Sequence, residues 1–161
     1  ILYMSPRGKV LTQEDAKRLA KEPGLLLLCG HYEGVDQRLL DEYGAEEISV
    51  GDYVLTGGEL PAMLLTDAVA RMLPGVLSEE ACFTEESHYS GLLEYPQYTR
   101  PEVWRGRPVP EVLLSGHHEN IRRWRRAQAL QLTREVRPDL FSQAELTEED
   151  RKILKKLNKT L

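Results

Sequence analysis

Three glycine-bearing segments have the composition to wall a single ligand site: Ser5-Pro6-Arg7-Gly8, Gly30-His31-Tyr32-Glu33-Gly34, and Gly51-Asp52-Tyr53-Val54-Leu55-Thr56-Gly57-Gly58. Glycine lets backbone N–H and C=O groups approach a flat ligand closely. Gly57-Gly58 stands just ahead of a predicted helix, where free N–H groups and the positive dipole end suit a carboxylate or a phosphate. Any one of these loops is most simply a tight turn. Three of them, with Tyr3, Tyr32 and Tyr53 beside them as stacking partners, point to a nucleoside ligand. None is a GxGxxG turn after a first strand and none is a Walker loop, so an ordinary dinucleotide site and a P-loop NTPase have no support.

Charge offers a second chemistry. Basic residues gather in Arg122, Arg123, Arg125 and Arg126, with Arg100, Arg105 and Arg107 upstream. Acidic ones gather in Glu79, Glu80, Glu85 and Glu86, and again in Glu148, Glu149 and Asp150. The net charge of −5 argues weakly against a nucleic-acid partner. Local field, however, decides partner choice more than the whole-chain sum. The four clustered arginines span just over one helical turn and cannot share one face. A charge run is more often a solvated surface. Here the flanking His117, His118 and Asn120 add donors, and phosphate contacts are the competing use. His31 and His88 have no evident role, and Asp52 is equally a ligand or a turn cap. Cys29 and Cys82 lie far apart with no Cys or His at metal-ligand spacing, which argues against zinc and a disulfide framework, and no residue is assigned as a metal ligand.

The elements that must position these residues fall into two kinds. Ile1-Leu2-Tyr3-Met4 reads as a buried strand stopped by the Ser5–Gly8 turn composition. Thr12-Gln13-Glu14-Asp15 starts a helix with Ala16, Leu19 and Ala20 on one face. Leu25-Leu26-Leu27-Leu28-Cys29 is a strand covered on both faces, as in a parallel sheet. A helix bearing Val35, Leu39 and Leu40 follows, then a strand Ile48-Ser49-Val50 and a helix from Glu59 to about Leu73. This alternation predicts an α/β domain over residues 1–77 with a mainly parallel sheet. Residues 78–90 are polar and acidic and read as a flexible linker. Residues 91–161 lose the β signal and read as a small all-helical domain, with helices from Glu119 to Gln131 and after Thr147. The chain is 41% hydrophobic and 29% charged, ordinary for a globular protein. No apolar run approaches the roughly 20 residues of a membrane span, and a protein without an export leader in a reducing cytoplasm is expected. The chain opens inside a strand-like run without an initiator Met, so a missing front segment is also expected.

Four stretches carry a resemblance. Cys29-Gly30-His31-Tyr32-Glu33-Gly34-Val35-Asp36, then Ile48 through Gly58-Glu59-Leu60-Pro61-Ala62, then Gly91-Leu92-Leu93-Glu94-Tyr95-Pro96-Gln97-Tyr98-Thr99-Arg100-Pro101, and Leu113-Leu114-Ser115-Gly116-His117-His118 with Ile121-Arg122-Arg123-Trp124-Arg125 closely resemble the bacterial tRNA (guanine-N1)-methyltransferase family of the SPOUT superfamily. The resemblance runs essentially end to end. It implies a SPOUT fold with a trefoil-knotted backbone, a helical carboxy-terminal domain that grips tRNA, and a homodimer with the active site at the subunit interface. It also implies methyl transfer from S-adenosylmethionine to N1 of the guanosine immediately 3′ of the anticodon, tRNA position 37, which maintains the reading frame. The donor is expected against Tyr3, Ser5, Pro6, Gly30, Tyr32, Glu33, Val50, Gly51, Tyr53, Leu55, Gly57 and Gly58. A Mg2+ requirement is a further expectation.

Guanine N1 carries a proton, so methylation there needs a general base at N1 and a cation or donor near O6. The family's linker aspartate falls on Glu86, within Thr84-Glu85-Glu86-Ser87, and its helix-end arginine falls on Arg71. A glutamate in the base position departs from the family by one methylene, and Glu85 competes for the role. Without the resemblance, Glu86 would be a solvated charge and Arg71 a helix-end cation. The tRNA contacts are expected from His117, His118, Asn120, Arg122, Arg123 and Arg125. The alternatives are an RNA-binding module without activity, which would show no heat with S-adenosylmethionine, and a SPOUT methyltransferase for another RNA base.

Overall fold

The apolar run at the start of the chain becomes the central strand of a parallel sheet. In the computed structural model, which describes residues 1–77 and 86–157, β1 (Leu2–Val10) lies between β2 (Leu27–Cys29) and β3 (Glu46–Ser49), parallel to both. The turn composition at Ser5-Pro6-Arg7-Gly8 does not end the strand as expected. It is absorbed as an irregularity within β1, whose Met4 and Lys9 both register with Ile48 of β3. A side chain at Gly8 would strike the backbone of Glu47, so the strand returns to its neighbour only through a residue without one.

The helices of this unit sit where their caps and apolar faces dictate. Thr12 and Asp15 form a reciprocal capping box. The Asp15 N–H donates to the Thr12 hydroxyl at 3.3 Å and the Thr12 N–H donates to the Asp15 carboxylate at 3.1 Å. α1 (Gln13–Leu19) therefore starts where the sequence indicates and buries Ala16 and Leu19. α2 (Gln37–Glu42) is capped by Asp36 and buries Leu40 but leaves Leu39 exposed. α3 (Glu59–Ala70) packs Ala62, Leu65 and Val69 into a core completed by Leu2, Met4, Ala16, Leu19 and Ile48. The five-residue apolar run expected to be a fully covered strand is one only in part. Strand β2 takes in Leu27, Leu28 and Cys29, all half-buried, and Leu26 stays exposed. The reason is position: β2 edges the three-stranded sheet, with one strand neighbour rather than two.

The chain divides into two compact units, Ile1–Phe83 and Thr84–Leu161. The linker expected over residues 78–90 falls partly on 78–85, which lie outside the described residues, as does Glu85. Residues 86–90 are not a free-running tether. Ser87 Oγ accepts the Glu94 N–H at 2.9 Å and the His88 N–H donates to the Leu92 carbonyl at 2.8 Å.

The second unit contains α4 (Glu111–Leu114), α5 (His118–Val136), α6 (Pro138–Gln143) and α7 (Glu148–Leu157). α5 continues past Gln131 because Thr133 can be buried without cost to its hydroxyl. That group donates to the Ala129 carbonyl at 2.6 Å and accepts the Leu93 N–H at 2.8 Å. Pro138 then begins α6, where its missing N–H is harmless. Thr147 and Asp150 repeat the capping box at α7, at 2.9 and 3.1 Å, as the sequence indicates. The expectation of an all-helical domain needs one correction. β4 (Val103–Trp104) and β5 (Arg107–Pro108) form a small antiparallel hairpin. Its two-residue loop, Arg105-Gly106, has φ of 49° and 77°, the pair of positive values that twists a tight hairpin correctly. Arg-Gly is not a usual sequence for that turn, and Pro108 masks its strand. Among the described residues, no helix is long and apolar enough to cross a membrane.

Candidate functional site

The three glycine-bearing loops of the first unit converge on one cleft of about 320 Å³. Two loops are pinned together at its base, where the Gly58 N–H donates to the Gly30 carbonyl at 3.1 Å. A Cβ on Gly58 would lie 2.7 Å from the Cys29 Cα, so this approach requires glycine. Tyr3 does not offer a stacking face. It is buried, and its hydroxyl lies beneath Gly30 and Gly34 as a support. Tyr32 is fully exposed at a φ of 56°, and Tyr53 is half-exposed with its hydroxyl donating to the Val50 carbonyl at 3.3 Å.

Of the residues expected around a donor, Tyr3, Ser5, Pro6, Gly30, Tyr32, Glu33, Val50, Tyr53, Leu55, Gly57 and Gly58 line this cleft. Gly51 does not. It shapes the loop from behind, its N–H donating to Ser49 Oγ at 3.1 Å while that hydroxyl donates to the Gly51 carbonyl at 2.9 Å.

Sequence reasoning assigned no donor contact to two ionisable residues of the lining, Arg7 and His31, and no part to Glu59, the partner of His31. Arg7 lines the wall with its guanidinium on Glu47 (2.9 and 3.3 Å) and Gln37 (3.2 Å). His31 lines it too, with Nε2 2.5 Å from the Glu59 carboxylate. Glu59 opens α3. A hydrogen bond from its own N–H, then one from His31, holds its carboxyl below the usual range. The helix end that Gly57-Gly58 offers to an anionic ligand is therefore answered in part by the chain's own carboxylate. The one signal available in the sequence was adjacency, since His31 and Glu59 each follow a glycine of a candidate loop. Burial, with Glu59 adding to it, pushes the Cys29 thiol up, which keeps it protonated and unreactive at neutral pH.

Arg71, the C-cap of α3, is half-buried, with its N–H donating to the Asp67 carbonyl at 3.1 Å, and it does not line the cleft. Glu86 is half-buried and belongs to the second unit. Among the described residues, no group of three or more His, Cys, Asp or Glu side chains is arranged to hold a metal ion.

In the second unit, the expected RNA-contacting residues His117, His118, Asn120, Arg122, Arg123 and Arg125 are all exposed along the first turns of α5 or just before it. Their charges are largely answered within the unit. Arg122 and Arg123 each lie 3.0 Å from Glu119, and 3.9 and 3.6 Å from Glu149. Arg125 lies over the Tyr95 ring at 4.8 Å. Arg126 is structural, bidentate at 2.7 and 2.9 Å to the buried Asp150. That contact holds the Asp150 carboxyl at about 2. A cavity of about 670 Å³ is lined by these arginines together with Leu92 and Ala129.

Comparison with known proteins places these features in a family context. Residues 1–143 match the family described as tRNA (Guanine-1)-methyltransferase TrmD. The chain is 66% identical to a tRNA (guanine-N(1)-)-methyltransferase of Ruminiclostridium cellulolyticum, over 88% of this chain and 61% of the relative. It is 61% identical to the same-named protein of Alkaliphilus oremlandii over 98% of this chain and 63% of the relative. For the Clostridium beijerinckii protein the identity is 57%, over 98% and 66%. The chain thus spans between 61% and 66% of the length of these three relatives.

Proposed function

Because the chain belongs to the tRNA (guanine-1)-methyltransferase family, we propose that it transfers a methyl group from S-adenosylmethionine to N1 of the guanosine immediately 3′ of the anticodon, tRNA position 37, and so maintains the reading frame. The observation that carries this reading is the convergence of three glycine-bearing loops on one cleft.

The residues present fit the donor. A cleft of about 320 Å³ stands at the lower end of small-ligand sites. Val50, Leu55 and Pro6 give apolar contact for a nucleoside, the loop backbones give its hydrogen-bond partners, and the Glu33 carboxylate stands in the lining to face a cationic group. S-adenosylmethionine, when bound, supplies a methyl group on a positively charged sulfur. The chain's part is then to expose the N1 lone pair. Glu86 would take the N1 proton, and the Arg71 guanidinium would hold the negative charge that develops on O6. Glu85 is the competing base and lies outside the described residues.

We assign donor binding to residues 1–77, a connecting role to 78–90 and tRNA binding to 91–161, with His117, His118, Asn120, Arg122, Arg123 and Arg125 as contacts. The backbone of the first unit is proposed to carry the SPOUT trefoil knot, and the location is the cytoplasm. A second copy of the chain is proposed to complete the active site. α3 supports this because it is apolar on both faces, with Leu60, Met63 and Leu64 exposed opposite its buried side. A Mg2+ requirement is assigned no ligands and is tested by chelation.

The test is methylation of an anticodon stem-loop RNA with and without the target guanosine, paired with calorimetry of donor binding. Donor-dependent heat and guanosine-dependent transfer are expected. Donor binding with no transfer to that guanosine would reassign the substrate, and no heat at all would leave an RNA-binding module.

A further inference from the structure

The β4–β5 hairpin brings three features together at its tip. Trp104 is 56% exposed and Val103 57%, although an indole is a large apolar surface to leave in water. Arg105 holds a φ of 49°, the left-handed region in which an arginine is strained and an asparagine is at ease. Its guanidinium lies 5.0 Å over the Trp104 ring. Trp104 and Arg107 are cross-strand partners, so their side chains leave the same face of the two-stranded ribbon.

The charges here differ from those on α5. There, Glu119, Glu149 and Asp150 take up Arg122, Arg123 and Arg126. Around the hairpin, Arg100, Arg105 and Arg107 are exposed and none of them has a carboxylate partner among the described residues. An exposed indole with one guanidinium over its ring and two more exposed on the same segment suits a flat, electron-rich ring attached to an anion. An apolar protein surface would instead have to desolvate those cations. The turn itself requires a left-handed residue at position 105, so what the fold leaves open is the choice of an arginine there over an asparagine.

We propose that the tip of this hairpin is an RNA contact: Trp104 stacks on an unpaired base while Arg105 and Arg107 hold its flanking phosphates. The inference rests on RNA being the substrate, as argued above, and assigns to that RNA a surface separate from the α5 arginines. Stacking of a base on an aromatic side chain is sequence-tolerant, so this contact contributes affinity and placement rather than base choice.

The test uses the full-length protein and an unmodified tRNA transcript. With Trp124 and any tryptophan outside this chain replaced by phenylalanine, the emission reports Trp104 alone. RNA is expected to quench it. Trp104→Ala is expected to raise the RNA Kd and KM roughly 5- to 100-fold, with kcat at saturating RNA and donor affinity unchanged. Arg105→Asn separates function from folding. It relieves the left-handed strain and is expected to raise the melting temperature by roughly 2–5 °C, yet it weakens RNA binding and lowers the salt slope of log Kd by about one. A Trp104→Ala protein that binds RNA as the parent does, with an unquenched Trp104 in the parent, overturns the proposal while leaving the substrate reading intact. A change in assembly size without a change in RNA affinity makes the hairpin a protein contact and overturns it equally. A parent protein that binds no tRNA removes the substrate reading, and this inference goes with it.

Discussion

Two residues separate packing from chemistry. Gly58 stands where two loops of the cleft meet, with a Cβ position 2.7 Å from the Cys29 Cα. Backbone cannot swing aside as a side chain can, so Gly58→Ala must push residues 30 and 58 apart. Overpacking of this kind costs about 1–3 kcal/mol. Donor affinity, read by calorimetry, is expected to fall at least tenfold even at temperatures where the variant stays folded. Unchanged donor affinity would detach the cleft from the donor. Asp150 makes the opposite case, a buried charge that serves the fold. Its hydrogen bond from Arg126 is the largest influence on it and holds its carboxyl near 2, against an ordinary value of 3.8. A depressed carboxyl contributes stability that is complete above its unfolded value and is lost as pH falls towards the folded one. The window therefore runs from about pH 4 down to about pH 2. The contribution is at most about 2 kcal/mol, since Arg126 is partly in water. Denaturant unfolding of the parent should lose stability through that window, and Asp150→Asn, weaker at neutral pH, should show a flatter profile there.

At the scale of elements, the sequence was most informative where a residue's local chemistry decides the structure. Thr12-x-x-Asp15 and Thr147-x-x-Asp150 cap helices as their spacing implies, because a capping box is closed by residues four positions apart or fewer. The three loops of the cleft were visible in the same way, from glycines after apolar runs. What was not legible depends on partners distant in sequence. Ser5-Pro6-Arg7-Gly8 looks like a strand end, and only the return of Lys9 to Ile48 makes it an irregularity within β1. The Arg105-Gly106 turn was hidden by an arginine in a position that favours asparagine. His31 meets Glu59 across 28 residues, a pairing that no local pattern announces. α3 shows both sides of this. Its apolar residues were plain, but periodicity did not say that Ala62, Leu65 and Val69 face the sheet while Leu60, Met63 and Leu64 face out. Covering that outer face by a second copy gives a definite expectation. Met63 is 67% exposed, so Met63→Asp should change subunit stability by no more than about 0.5 kcal/mol. It should nonetheless shift the assembly from dimer to monomer in sedimentation equilibrium at micromolar protein. A dimer as tight as the parent's would place the interface elsewhere.

Across the whole molecule, the proposed chemistry is divided between the two units. The first carries the cleft and Arg71, and the second carries Glu86 and the arginines. On that proposal donor binding and proton removal draw on different parts of the chain, and one substitution should separate them. Glu86→Gln keeps the size and hydrogen-bonding reach of the side chain but removes its basicity. A base positioned at a reacting proton contributes roughly 10²- to 10⁴-fold in rate. The expected result is a fall in kcat of that order, with donor affinity by calorimetry and tRNA affinity by filter binding both within about twofold of the parent. The rate that remains should rise with pH as the N1 proton is lost to solvent, because hydroxide can replace a missing base but cannot replace a missing positioning contact. If Glu86→Gln turned over near the parental rate, the carboxylate at this position would be one more solvated charge. The proton would then leave through Glu85 or another group. If instead donor affinity fell together with kcat, Glu86 would be supporting the cleft, and the division of labour between the units would be wrong.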